Sequence, residues 1–267
     1  EQKDFLKLKS IQAPDHWCDE YELTWAWESD LVWIRQQSPE PFYWAPVGDW
    51  HKIDWNGRLS SLNEKIDFVR VPEELSARIV DLNCSMSSIE QRDHWDYLYS
   101  VKELVRLKGK QFHDKKNLLH QFQKNSWRYV PLDQGLIKRA LFMQYDWCAW
   151  RNCEASAGLA AENRVITKVL KSFDELTLFG GAIEIDGSVV AFTVAEQLSP
   201  KMLVIHFEKA LNGYKGLYQA INREFLAAQK GFDIVNREQD LGNEGLRKAK
   251  LSYNPVDFIK KFRLSWV

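Results

Sequence analysis

Gly180-Gly-Ala-Ile-Glu-Ile-Asp-Gly-Ser-Val-Val-Ala-Phe-Thr-Val-Ala195 is the stretch that decides the fold. Two alternating apolar runs flank Asp186-Gly187. An Asp-Gly pair suits a two-residue type I′ turn, so the stretch predicts an antiparallel hairpin. Downstream, residues 201–209 predict a strand. Residues 216–230 predict a helix with Leu217, Ala220, Ile221 and Phe225 on one face. Residues 232–236 predict a short buried strand. A strand–helix–strand unit makes parallel neighbours by a right-handed crossover. Residues 243–253 predict a further helix, stopped by Asn254-Pro255.

Working outward, residues 136–150 and 160–173 predict two helices ahead of the hairpin, and residues 258–266 a final strand. That order is similar to the layout of the GNAT acyltransferases. The N-terminal half is denser in tryptophan. There Leu31-Val-Trp-Ile-Arg35 and Pro41-Phe-Tyr-Trp-Ala45 predict two strands about a polar turn. Asp67-Phe-Val-Arg-Val71 predicts another strand, and Pro72-Glu-Glu-Leu opens a helix. Residues 96–124 read as helical with a break near Gly109. Trp127-Arg-Tyr-Val-Pro131 reads as the strand that closes the first half, with a linker at 132–135.

The chain of 267 residues suits one large domain or two of ordinary size. Its 12 Trp, 14 Phe and 9 Tyr argue against disorder. The net charge of −1 gives no global pull toward nucleic acid or an anionic membrane, so any basic surface is local. No apolar run reaches membrane-spanning length, and the polar start Glu1-Gln2-Lys3-Asp4 has no signal-peptide pattern. Cys18, Cys84, Cys148 and Cys153 form no CxxC pair, and no metal spacing is present. They read as reduced, mostly buried thiols of a cytoplasmic protein, one that sits at most peripherally on a membrane. Asp93-His-Trp-Asp96 reads as a helix cap with core filling.

Three constellations carry chemistry. In the first, His206-Phe-Glu-Lys-Ala210 runs into Leu211-Asn-Gly-Tyr-Lys-Gly216-Leu-Tyr218, a strand end turning through glycines into a helix. Unpaired N–H groups and the helix dipole make such a start an anion site. Gly213, Lys215, Gly216, Leu217 and Tyr218 are thus the candidate donor-binding residues. In the second, Asn236-Arg-Glu-Gln-Asp-Leu-Gly242 follows the parallel strand, where open sheets bind ligands. By alternation Asn236, Glu238 and Asp240 share a side, and Glu208 ends the neighbouring strand. Glu208 or Glu238 is the candidate proton acceptor, with Lys209 and Lys250 stabilising negative charge. Asn236, Asp240 and Arg247 are the candidate acceptor-binding residues. In the third, residues 102–128 hold six Lys and two Arg against one Glu and one Asp, a net of +6. Phe112, His113, His120 and Trp127 are interleaved with them. Basic and aromatic residues mixed this way suit a polyanion, with Lys108, Lys110, Lys115 and Lys116 the candidates.

Asp96-Tyr-Leu-Tyr99, Leu107-Lys-Gly-Lys110, Asn117-Leu-Leu-His-Gln-Phe122 and above all Asn236-Arg-Glu-Gln-Asp-Leu-Gly242 with Gly245-Leu-Arg-Lys-Ala-Lys250 and Ser252-Tyr-Asn-Pro255 carry a resemblance. They are similar to the bacterial family related to the C-terminal catalytic domain of phosphatidylglycerol lysyltransferase. The resemblance spans most of the chain. It implies an α+β fold of two GNAT-like domains in tandem, each a mixed sheet flanked by helices. The first, at 1–131, would be a degenerate copy, and the second, at 132–267, would hold the donor crevice. It implies an acyltransferase that passes an aminoacyl group from charged tRNA to an amine or hydroxyl, such as a phospholipid headgroup or another small acceptor. Two other readings stay open: a CoA-dependent N-acetyltransferase with acyl-CoA as donor, and a non-catalytic binding protein of the same fold.

Overall fold

A computed structural model describes residues 6, 7, 17–28, 30–62, 64–82 and 85–267; the reading of Cys84 lies outside them. The chain forms two compact units. The first comprises 1–95, 239–243 and 259–267, and the second 96–238 and 244–258. The division therefore falls near 95 and not at the expected 131, because residues 96–131 build the second unit's sheet and the helices that cover it.

The first unit has an eight-stranded mixed sheet. Leu6–Lys7, Thr24–Glu28, Leu31–Gln36 and Phe42–Trp44 run antiparallel in turn. Phe42–Trp44 then pairs parallel with Phe68–Pro72. Lys261–Trp266 lies between Phe68–Pro72 and Met86–Glu90. Trp33, Trp55, Phe68, Leu75 and Ile79 are fully buried in its core, so the sequence's tryptophan density is partly core material, although Trp27 stays exposed.

The second unit has a seven-stranded sheet. Trp127–Pro131, Leu178–Ile185, Ser188–Ser199 and Met202–Ala210 run antiparallel in turn. Met202–Ala210 pairs parallel with Ile234–Asn236 through the crossover helix Leu217–Ala228. Asp96–Ser100 follows, antiparallel to Ile234–Asn236, and Asp257–Ile259 closes the edge. The hairpin turn has positive φ at both Asp186 and Gly187, as the Asp-Gly pair requires.

The two sheets repeat one order: four antiparallel strands, a parallel neighbour reached by a helix, then two more strands. In each, the sixth strand is supplied by the other half of the sequence. Asp96–Ser100 enters the second sheet, and Lys261–Trp266 enters the first. The tandem α+β architecture is therefore present, with one strand exchanged in each direction. Two expectations change on this account. Residues 96–100 form a strand and not a helix, because a strand buried on both faces between two others needs continuous apolar character, which Tyr97-Leu-Tyr99 supplies. The expected strand over 258–266 is two strands in two sheets.

Gly216 opens the crossover helix with φ 89°. A Cβ there would lie 2.0 Å from the backbone oxygen of Leu118 on the helix His113–Phe122. Gly216→Ala is expected to lose about 2–4 kcal/mol in urea unfolding, through overlap and left-handed strain together. At Gly213, also left-handed but with open space around it, the same change is expected to cost about 1 kcal/mol.

Candidate active site

The site grows from a parting of strands. Met202–Ala210 pairs with Ile234–Asn236 only through Met202, Leu203 and Val204. Beyond them the longer strand runs on without that partner, with a bulge at His206, where Ile205 and Phe207 pair with consecutive residues of the hairpin. Two side-chain bridges cross the wedge. Arg237 donates to Glu208 at 2.8 Å, and His206 meets Glu238 at 2.9 Å.

The first bridge is closed. Glu208 also accepts from Asn222 at 2.9 Å and is 8% exposed. Burial works against the charge on Arg237, but the Glu208 carboxylate outweighs it and the guanidinium is held above its usual range. The Arg237 guanidinium also lies 5.0 Å from the Tyr253 ring centroid. Burial lifts the Tyr253 phenol to about 12 against the lowering charge of Arg237.

The second bridge is open on one side. His206 is buried, with Nδ1 against Glu238 and Nε2 3.3 Å from Glu196. Carboxylates at both ring nitrogens require both to carry protons. Burial alone would lower its pKa, yet the hydrogen bonds and charges of Glu196 and Glu238 raise it to about 9. Glu238 retains 35% side-chain exposure. Since His206 is raised above its unfolded value near 6.5, its stabilising contribution is complete below about pH 6.5. It is lost as pH climbs through about 9, a fall on the order of 3 kcal/mol. Urea midpoints from pH 6 to 10 should show this fall, and His206→Gln should flatten it.

The loop over residues 211–216 opens onto a cleft of about 590 Å³. Its walls include Trp147, Trp150 and Arg151 from the end of one helix, with Gly213, Lys215 and Tyr218 from the loop and the crossover helix. The helix Gln134–Arg151 starts at Asp133, whose side chain accepts from the Leu136 N–H. It stops at Asn152, whose left-handed backbone turns the chain back. Cys153 thereby returns beside Cys148, and the two form a disulfide with Cα atoms 5.1 Å apart. That corrects the expectation of reduced thiols for this pair; Cys18 is a buried thiol outside any disulfide, as expected. Lys209 sits behind the wall, with Nζ 4.1 Å from the Trp147 ring and 2.8 Å from Glu162.

Not all the candidates converge. Lys209 lies on the opposite face of its strand from Glu208. Gly216 and Leu217 are packed inside the fold, and the Leu217 N–H is bonded to the Tyr214 carbonyl. Asn236 is buried, donating to Asp96 at 3.1 Å and accepting from the Glu238 N–H. Lys250 donates to the carbonyls of Arg237 and Glu238, fixing that loop. Asp240 belongs to the first unit, fully buried, accepting from Gly242 N–H at 2.9 Å and facing Arg92. Alternation fails beyond Asn236 because the strand ends there and Glu238 turns left-handed. Arg247 is half-buried on Glu244–Leu251. Lys115 turns to the Tyr253 ring at 4.3 Å, and burial, then the charge of Arg237, lower its pKa. Lys108, Lys110 and Lys116 are exposed. Sequence reasoning missed Trp147, Trp150, Arg151 and the role of His206. A tryptophan pair three apart ahead of an arginine was the only trace of the cleft wall.

The sequence matches the family of phosphatidylglycerol lysyltransferase C-terminal domains over residues 16–265. Among solved structures, a conserved protein of unknown function from Bacteroides thetaiotaomicron has TM-score 0.84 and 29% identity, covering 95% of this chain and 88% of that one. L-PGS from Bacillus licheniformis has TM-score 0.68 over 96% of this chain and 87% of that one. At 11% identity, that likeness is one of fold. An uncharacterized protein, MYCGA3080, of Mycoplasmoides gallisepticum is 24% identical over 173 residues, 62% of this chain. The match spans only about half, 54%, of that relative's length. No described helix is long and apolar enough to cross a membrane.

Proposed function

The chain belongs to the family of phosphatidylglycerol lysyltransferase C-terminal domains, and from that premise we propose that it transfers an aminoacyl group from charged tRNA to an amine or hydroxyl acceptor. The acceptor class is a phospholipid headgroup or another small molecule. The observation that carries the reading is the cleft at the end of Met202–Ala210, where Trp150, Arg151, Lys215 and Tyr218 surround the strand-to-helix loop. Aromatic faces and two cations suit the terminal nucleotide of a charged donor. In this reading Glu238, the accessible carboxylate of the wedge, takes the proton from the attacking amine or hydroxyl as the new amide or ester bond forms, and returns it to the ribose oxygen of tRNA as the donor ester bond breaks. His206 holds Glu238 in place as a positioning residue. Lys250 fixes the backbone carrying it, and Glu208 and Arg237 brace the wedge.

A thermal-shift comparison tests the donor class. A hydrolysis-resistant 3′-aminoacylamino adenosine should raise the melting temperature, as any ligand that binds only the folded state does. Acetyl-CoA should leave it unchanged. Stabilisation by acetyl-CoA alone would transfer the cleft to the CoA-dependent reading.

A further inference from the structure

A second cleft, of about 490 Å³, lies on the same unit away from the wedge. Arg106, Lys108, Gly109, His113, Lys116 and Arg223 line it, and no carboxylate does. Among the described residues Arg106, Lys108 and Lys116 enter no ion pair. Arg223 is partly engaged, by the Val105 carbonyl at 3.2 Å and by Glu224. Leu107 and Gly109 are left-handed, which bends the loop into a concave turn between Val101–Arg106 and His113–Phe122. Cations collected at a concave site without counter-charge repel one another, and an anion relieves that repulsion.

We infer that this cleft binds the phosphate backbone of an RNA strand. The ligand's identity rests on the aminoacyl-tRNA reading, and its place rests on the geometry. Two observations favour RNA over a membrane surface. Interfacial membrane binding needs exposed apolar side chains beside the basic ones, and the cleft's own apolar lining is half-buried Val105 and buried Leu107. The crossover helix also joins the two clefts, with Tyr218 at the donor cleft and Arg223 at the basic one. Five residues of helix span about 7.5 Å, about the rise of two stacked nucleotides. A strand with its phosphates on the basic cleft has its end within reach of the donor cleft.

The test is fluorescence anisotropy of the whole protein with labelled, uncharged tRNA across a salt series. Lys108→Gln with Lys116→Gln should weaken binding about tenfold or more. It should also reduce the slope of log K against log salt by about 1.5, two phosphate contacts' worth. Lys171→Gln, on an exposed residue elsewhere on the unit, should change neither. Unchanged tRNA binding in the double variant would overturn the assignment. So would loss, in that variant, of binding to phosphatidylglycerol–phosphatidylcholine vesicles by a parent protein that ignores tRNA. No acyl transfer is needed for the measurement, so the cleft stands if tRNA binds through it while transfer fails. It falls alone if transfer succeeds and the variant binds tRNA normally.

Discussion

Replacing Arg237 by Met is expected to cost about 3–5 kcal/mol of unfolding free energy, the usual range for breaking one side of a buried ion pair. The Arg237 and Glu208 side chains are 13% and 8% exposed, and they face each other at 2.8 Å. Without the guanidinium, Glu208 keeps, among the described residues, only the Asn222 amide. An unpaired buried carboxylate is then either desolvated or forced to protonate. Adding Glu208→Leu to Arg237→Met should recover much of the loss, because the stranded charge is gone. Urea unfolding of the two variants and the parent measures this. A loss below about 1 kcal/mol for Arg237→Met would show that the bridge does not hold the wedge.

Glu238→Gln is expected to lower kcat by about 10²–10⁴, the usual contribution of a positioned general base, with donor KM little changed. An amide cannot accept the proton, yet it fills the same space and can still accept a hydrogen bond from His206. Its fold should persist, with the pH-dependent fall in stability between about 6.5 and 9 reduced, since one of the two carboxylates that raise His206 is lost. His206→Gln should reduce the rate less than Glu238→Gln does, because it touches the reaction through Glu238 only. A Glu238→Gln enzyme that keeps a third or more of the parent rate would remove Glu238 from the mechanism.

The architecture was more legible than the site. Asp186-Gly187 between two alternating runs names its own turn, and the crossover helix shows its apolar face in Leu217, Ala220, Ile221 and Phe225. These are local signals. The exchanged strands are not local. Nothing in Asp96-Tyr-Leu-Tyr-Ser100 states that its partners are 134 or more residues downstream, and Tyr-Leu-Tyr suits a helix core as well as a central strand. The site failed in the same way. Lys209 and Glu208 are adjacent in sequence, and strand alternation sends them to opposite faces. Asn236, Glu238 and Asp240 alternate in sequence, but left-handed Glu238 breaks the alternation in space. Gly216 stands in sequence as a candidate donor-binding residue, whereas the space its missing side chain leaves is taken by the Leu118 carbonyl. Lys108 and Lys116, eight residues apart, meet at one cleft because Leu107 and Gly109 turn the chain between its two helices.

The proposed reaction moves an aminoacyl group from tRNA to an acceptor. Its most direct measurement uses bulk tRNA charged with radiolabelled amino acids, incubated with the protein and an extract of small molecules and lipids. Protein-dependent passage of label from tRNA into an amide or ester product, lost in Glu238→Gln, is the expected result. Label that stays on tRNA, with acetyl-CoA consumed in a parallel reaction, would contradict it.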